Sequence, residues 1–224
     1  MENQYFEFWK TCVLELADAR DAEEALMESD DVYAQERAYA HYWETMHRVM
    51  CKRERARKRW GFGVPSTELI QFLATEAGNV LEVGAGNGYI ASCVLAAGGN
   101  IVPTDIKAED YPGLFPEGEF TTVLDAPADE AARAFGAESD TLFCSWPYYT
   151  PERDAALQAI LADAGYYKYV VLQGEMPGMG VTGTEEFITA MHDRYYWYNR
   201  ELSKQFPSTN WPMVWDSVHV WEMR

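Results

Sequence analysis

Asn79 to Val83 reads as a short apolar strand that runs straight into Gly84-Ala85-Gly86-Asn87-Gly88 and then into a helical stretch, Ile90 to Ala97. A strand that reaches a helix through three alternating glycines tightly restricts the fold. Glycine reaches φ > 0 without strain and has no Cβ, so the connection can be tight and the backbone can come close to a ligand. Downstream, short apolar runs alternate with helical stretches, the pattern of a parallel sheet with helices on both faces. The second strand is expected at Asn100 to Thr104, the third at Phe120 to Leu124, the fourth at Thr141 to Ser145 and the fifth at Lys168 to Leu172. Helices are expected at Asp154 to Ala162 and Glu185 to His192. Tyr195 to Glu201 and Ser217 to Glu222 read as strands pairing at one edge. The fold class is therefore α/β, doubly wound and mostly parallel.

The first sixty residues have a different pattern. Phe6, Trp9, Val13 and Leu16 recur at helical spacing, as do Tyr42, Met46, Val49 and Met50, and neither glycine nor proline occurs before Gly61. Gly61-Phe62-Gly63-Val64-Pro65 then breaks the pattern, and Ser66 or Thr67 can cap a helix through Leu69, Ile70, Phe72 and Leu73. The expected organisation is an N-terminal helical cap over residues 1–60, a hinge, and a main domain over residues 61–224.

With 224 residues, 48% of them hydrophobic and 24% charged, the chain can bury a core of its own. No apolar run reaches the ~18 residues of a membrane span, and the N-terminus lacks signal-peptide character, so a cytoplasmic protein with no membrane partner is expected. Cys12, Cys51, Cys93 and Cys144 form no CxxC pair and read as free thiols, while His41, His47, His192 and His219 supply no HExxH motif. No metal is expected. A formal charge of −18 repels polyanions. One local exception is the run Arg48, Lys52, Arg53, Arg55, Arg57, Lys58 and Arg59, seven cations against Glu54. It reads as a solvated helix face answered by the acids of the first forty residues, the alternative being a patch that contacts phosphates.

Two further strand ends bear on the glycine turn. Asp105 follows the second strand, where a carboxylate can accept from ribose hydroxyls, and Asp125 follows the third, where one can accept from an adenine amino group. A nicotinamide site needs GxGxxG, and the third glycine position is Tyr89; no Gly-Lys-Ser or Gly-Lys-Thr follows to make a P-loop.

The run Glu82-Val83-Gly84-Ala85-Gly86-Asn87-Gly88, with Asp105 and Asp125 at the next two strand ends, resembles the class I S-adenosylmethionine-dependent methyltransferases over roughly residues 61–224. The resemblance implies a Rossmann-like, seven-stranded sheet with an antiparallel C-terminal strand. It also implies S-adenosylmethionine as cofactor, held by Glu82, Gly84, Ala85, Gly86, Asn87 and Gly88, by Asp105 and Ile106 at the ribose, by Asp125 and Ala126 at adenine, and by Ser145.

Ser145-Trp146-Pro147-Tyr148 is similar to the Asp/Asn/Ser-Pro-Pro-aromatic site of enzymes that methylate planar amines, with Trp146 standing where the first proline would be. In this likeness Ser145 Oγ and the Trp146 carbonyl accept from an amino group, Pro147 stiffens the turn, and Tyr148 stacks on the acceptor. The alternative is a rigid aromatic turn covering the sheet end. The loop from Gly174 to Gly183 reads as a lid, with Glu175 as a candidate acceptor-orienting carboxylate and Thr182 and Glu185 at capping-box spacing. A serine-tryptophan-proline turn, this Gly-Glu loop and a terminal Trp-Pro segment together resemble a little-characterised methyltransferase-like group. The expected activity is methyl transfer to an amino nitrogen of a small planar molecule. A nucleic-acid base methyltransferase that uses residues 48–59 and a non-catalytic binder of the cofactor remain the alternatives.

Overall fold

The computed structural model describes residues 3–27, 29–106, 118–162 and 167–224. Two long helices open the chain, α1 (Gln4–Met27) and α2 (Val32–Trp60), followed by α3 (Thr67–Thr75). Then come β1 (Asn79–Val83), α4 (Tyr89–Ala96), β2 (Asn100–Asp105), β3 (Leu124–Asp125), α5 (Ala128–Phe135), β4 (Thr141–Ser145), α6 (Ala155–Leu161) and β5 (Tyr169–Gly174). The chain ends with α7 (Glu185–Asp193), β6 (Tyr196–Tyr198), α8 (Arg200–Ser203) and β7 (Ser217–Met223). The strands form one seven-stranded sheet in the order β3-β2-β1-β4-β5-β7-β6. β7 runs antiparallel to both its neighbours, β5 and β6, and every other pairing is parallel. Chain order reverses between β1 and β4, which opens a crevice at the carboxyl ends of those strands, where such sheets take their ligands.

Alternation along the strands feeds two apolar layers. Val80, Phe143, Val171 and Val220 face α3 and α4, packing with Leu69, Leu73, Ile90 and Val94. Leu81, Leu142, Val170 and Leu172 face the other way, onto Ala132, Leu157, Ile160 and Phe187. α3 begins where Ser66 Oγ accepts the Leu69 N–H at 3.1 Å.

The N-terminal helices contribute Tyr5, Cys12, Val49 and Ala56 to the first layer. Tyr5 is fully buried and stacks on Trp60 at 5.0 Å. Its hydroxyl donates to the Gly61 carbonyl (3.2 Å) and accepts from Trp211 Nε1 (3.3 Å), while its backbone N–H donates to Tyr89 Oη (2.9 Å). Asn3 Nδ2 donates to the Pro65 carbonyl at 2.7 Å, and Trp9 Nε1 donates to that of Asn210 at 3.0 Å. Gly63, Val64 and Pro65, expected in a hinge, are buried.

The structure corrects four expectations. The third strand is reduced to Leu124–Asp125, because residues 120–123 cross the glycine turn instead of following β2: the Phe120 N–H donates to the Asn87 carbonyl at 2.8 Å and its ring packs edge-on against Tyr89. The segment expected as one strand from Tyr195 to Glu201 divides into β6 and α8, because Asn199 Oδ1 caps the latter by accepting from the Leu202 N–H. Thr184, not Thr182, caps α7 by accepting from the Phe187 N–H, while Thr182 Oγ1 donates to the Glu175 carbonyl. Helix α5 was not foreseen, since its buried face is only Ala128, Ala131 and Ala132.

Tyr5 ties α1 to α4 and to the C-terminal segment. Truncating a buried aromatic residue costs about 3–5 kcal/mol and losing a single hydroxyl contact about 0.5–1.5 kcal/mol. Urea unfolding should therefore rank wild type above Tyr5→Phe, and Tyr5→Phe well above Tyr5→Ala.

Candidate functional site

Gly84, Gly86 and Gly88 have φ of 70°, 60° and 73°, a left-handed geometry in which a side chain is strained. A Cβ on Gly88 would also lie 2.8 Å from Thr121 Cγ2. The turn is pinned to β2 by two hydrogen bonds, Ala85 N–H to the Thr104 carbonyl (3.0 Å) and Gly86 N–H to Asp105 Oδ2 (2.6 Å). Burial pushes Asp105 up to about 6, against the opposing pull of the Gly86 and Ile106 N–H groups. Glu82 is buried, with Oε2 lacking a hydrogen-bond partner among the described residues. Burial and then the charge of Asp105 push it up to about 8, so it carries a proton at neutral pH.

A cavity of about 450 Å³ opens at the carboxyl ends of β1, β2 and β4. Gly84, Gly86, Asp105, Ile106 and Ala126 form one side of it, and Ser145, Trp146, Pro147 and Tyr148 another. The other expected residues lie outside this wall. Glu82 sits beneath it, Asn87 turns inward to donate from Nδ2 to the Arg59 carbonyl (2.7 Å), and Ala85 and Gly88 complete the turn. Asp125 pairs in register with Asp105 on the outermost strand. Glu175 folds into its own loop, where Oε2 accepts the Val181 N–H at 2.6 Å.

Polarity at Ser145 is set from behind by Gln173, a residue the sequence analysis did not single out. The Gln173 side chain is buried, and its Nε2 donates to the Val64 carbonyl at 2.6 Å, an atom that can only accept. That turns Oε1 toward Ser145, whose hydroxyl donates to it at 3.3 Å. With its single proton engaged, Ser145 Oγ is left to act as an acceptor. Gly63 makes this arrangement possible, since a Cβ there would lie 2.5 Å from Ser145 Oγ and 2.8 Å from Gln173 Cδ.

Trp146 adopts φ 56°, a conformation closed to proline, so the resemblance to a Pro-Pro turn does not extend to its backbone. Left-handed geometry costs roughly 1–2 kcal/mol. Three contacts offset it: the Trp146 N–H donates to the Gln173 carbonyl (2.7 Å), Nε1 donates to buried Asp216 Oδ2 (3.0 Å), and the indole stacks on Phe62 at 5.7 Å. Burial pushes Asp216 up to about 7, with the Trp146 bond acting the other way. Phe62 in turn carries the Arg57 guanidinium 4.8 Å above its ring. The outer wall adds Tyr149, Glu152, Arg153 and Val181, with Arg153 over the Tyr148 ring at 5.8 Å. Phe62, Gln173 and Asp216 lie at least 27 residues from Ser145 or Trp146 in sequence, and only the polarity of Gln173 within an apolar strand hints at a role.

Much of the basic run is engaged locally. Arg48 and Lys52 both bind Glu15 of α1, at 2.7 and 2.5 Å, and Arg57 binds Glu54 at 2.9 Å. All four cysteines are free. No described helix is long and apolar enough to cross a membrane.

No family model matches the chain, and no curated protein does. Among solved structures, it is similar to magnesium protoporphyrin IX methyltransferase from Synechocystis PCC 6803 with bound S-adenosylmethionine: 16% identity, 70% of this chain, 77% of that one, TM-score 0.49. It is also similar to an O-methyltransferase family protein from Burkholderia thailandensis (10% identity, 97% and 72% of the two chains, TM-score 0.43). A third similar structure is a methyltransferase from Archaeoglobus fulgidus (14% identity, 70% and 94%, TM-score 0.43).

The buried Glu82 makes a testable pH prediction. In the unfolded chain its proton leaves near ~4.3, whereas the fold retains it up to about 8, so the native state binds more protons between those values and stability declines as pH rises through that window. Glu82→Gln keeps the shape without the titration. Relative to wild type, its urea midpoint should improve steadily from pH 5 to pH 8.5; a constant difference would refute the assignment. Asp105 and Asp216, raised to about 6 and about 7, leave a residual decline of the same sign in both proteins.

Proposed function

We propose that the chain is an S-adenosylmethionine-dependent methyltransferase whose acceptor is an amino nitrogen of a small planar molecule. The observation that carries this reading is the shared cavity: a left-handed glycine turn and Asp105 on one side, and a serine whose hydroxyl proton is taken up by Gln173 on the other. Its volume lies within the ~300–1,000 Å³ of small-molecule sites. The residues fit the cofactor's chemistry, with Gly84 and Gly86 admitting the methionine portion, Asp105 accepting from ribose hydroxyls, and Ile106 and Ala126 offering apolar surface to adenine. When bound, the cofactor supplies a methyl group already activated by a sulfonium.

The protein's remaining task is positioning, which can supply up to about 7–11 kcal/mol of barrier reduction. Ser145 Oγ accepts an N–H of the acceptor and so turns the nitrogen lone pair toward the methyl. An anionic oxygen acceptor would meet the same lone pairs and be repelled, which favours an amine. Tyr148 provides a face for a flat acceptor, and Trp146 and Tyr148 together favour cationic character by about 0.5–2 kcal/mol each. A small acceptor is favoured because Arg48, Lys52 and Arg57 of the basic run are held by Glu15, Glu54 and Phe62.

Calorimetry with S-adenosylhomocysteine should give a single site that Gly86→Leu abolishes. A hydrogen bond to a charged group is worth about 1.5–3 kcal/mol, so Asp105→Ala should weaken the site about 10- to 100-fold. Ser145→Ala should leave that affinity within about twofold while cutting methyl transfer about tenfold or more. The transfer assay uses methyl-labelled cofactor with fractionated metabolites, RNA and protein. Label in the metabolite fraction supports the small-molecule reading, label in RNA supports base methylation, and binding without transfer leaves a cofactor-binding protein.

A further inference from the structure

The cavity wall carries a charge that methyl transfer to an amine does not call for. Among the described residues that line it, Arg153 is the one cation, and Asp105 and Glu152 are the acids. An acid stands on each side of Arg153 in the chain, yet neither pairs with it. Asp154 is buried and engaged elsewhere: Oδ1 accepts the Leu157 N–H at 2.9 Å and Oδ2 accepts from Thr184 Oγ1 at 3.2 Å. Glu152 lines the cavity without a cation partner among the described residues.

The turn that presents Arg153 is fixed. The backbone N–H groups of Arg153 and Asp154 both donate to the Thr150 carbonyl, at 3.0 and 2.9 Å, and Gln158 Nε2 donates to the Glu152 carbonyl. Beyond the turn, the guanidinium lies over the Tyr148 ring, 5.8 Å from its centroid, near the ~6 Å limit of a cation–π contact. That attraction positions the group without using up its side-chain N–H donors, which have no acceptor among the described residues. The donors keep the planar fork that matches a carboxylate.

Building on the function proposed above, which lays a flat acceptor on Tyr148, we propose that Arg153 sets acceptor specificity and that the planar amine carries a carboxylate. The guanidinium takes the carboxylate in a bidentate pair, and Ser145 takes the amino group. Charge selects a monoanion: one cation balances a carboxylate, whereas a phosphate dianion leaves net negative charge beside Asp105 and Glu152 in a chain of net charge −18. Held at both ends, the acceptor has its nitrogen oriented as well as bound, which a neutral amine on the same ring lacks.

The cofactor brings a carboxylate of its own, so the test separates the two sources. Full-length protein is incubated with methyl-labelled cofactor and small metabolites, and the labelled product is passed over an anion exchanger. The product should be held at pH 7 and released near pH 2, where a carboxylic acid regains its proton. Arg153→Gln should raise the apparent KM for the active fraction about tenfold or more with kcat little changed, because the lost contact is made before and during transfer alike. Arg153→Lys should restore part of that loss, lacking the fork but keeping the charge. Affinity of Arg153→Gln for S-adenosylhomocysteine should stay within about twofold of wild type. An unchanged KM, labelled product that passes the exchanger at pH 7, or product still held near pH 2 as a phosphate would overturn this inference and leave the methyltransferase reading standing. A tenfold loss of S-adenosylhomocysteine affinity would overturn it by assigning Arg153 to the cofactor. Cofactor binding with no labelled small product would overturn both.

Discussion

A bend of three left-handed glycines, fastened by the Gly86 N–H to Asp105, sets the position of everything else in the cavity. It brings the end of β1 against the end of β2 and starts α4 at Tyr89. Tyr89 is the residue that α1 grips, through the Tyr5 N–H. One bend thus fixes both the floor of the cavity and the seat of the N-terminal helices, and a side chain at any of the three positions would strain both. The reversal of strand order beside it supplies the opposite wall from β4 without further constraint on the turn.

Behind the cavity the protein holds several polar groups out of water. Glu82, Asp105 and Asp216 are all raised by burial, and Glu82 and Asp216 each keep one oxygen without a partner among the described residues. Burying such groups costs stability, and in a fold whose net stability is typically about 5–15 kcal/mol that cost is considerable. The gain is local order. Gln173 is oriented by one carbonyl, Ser145 is oriented by Gln173, and Trp146 is held in a strained conformation by Asp216.

How much of this was legible depended on whether the signal was local. β1 and β4 match their expected limits because each is a short apolar run ended by a turn or a polar residue. The glycine turn, Asp105 and the Ser145 segment were found because their spacing or composition is unusual within a few residues. The third strand was misjudged because the strand-forming residues Phe120 to Val123 serve a different end, packing over the glycine turn and Tyr89. Helix α5 was hidden by an alanine face too small to register as a hydrophobic period. Asp216 and Phe62 could not be read at all, and Gln173 only as a polar residue in an apolar strand, since each gains its role from a partner at least 28 residues away. The left-handed Trp146 was equally invisible, because nothing in its type favours that conformation.

The bond from Trp146 to Asp216 also sets a timetable. Seventy residues separate the two, and the carboxylate sits just ahead of the strand that inserts between β5 and β6. During synthesis the glycine bend and its acid can assemble early, and Phe62 and the Gln173 carbonyl can already meet the tryptophan, but its indole N–H has no acceptor until that late strand docks. The cavity is thus finished only in chains that have folded to the end, and a truncated or nicked product would be left with half a pocket.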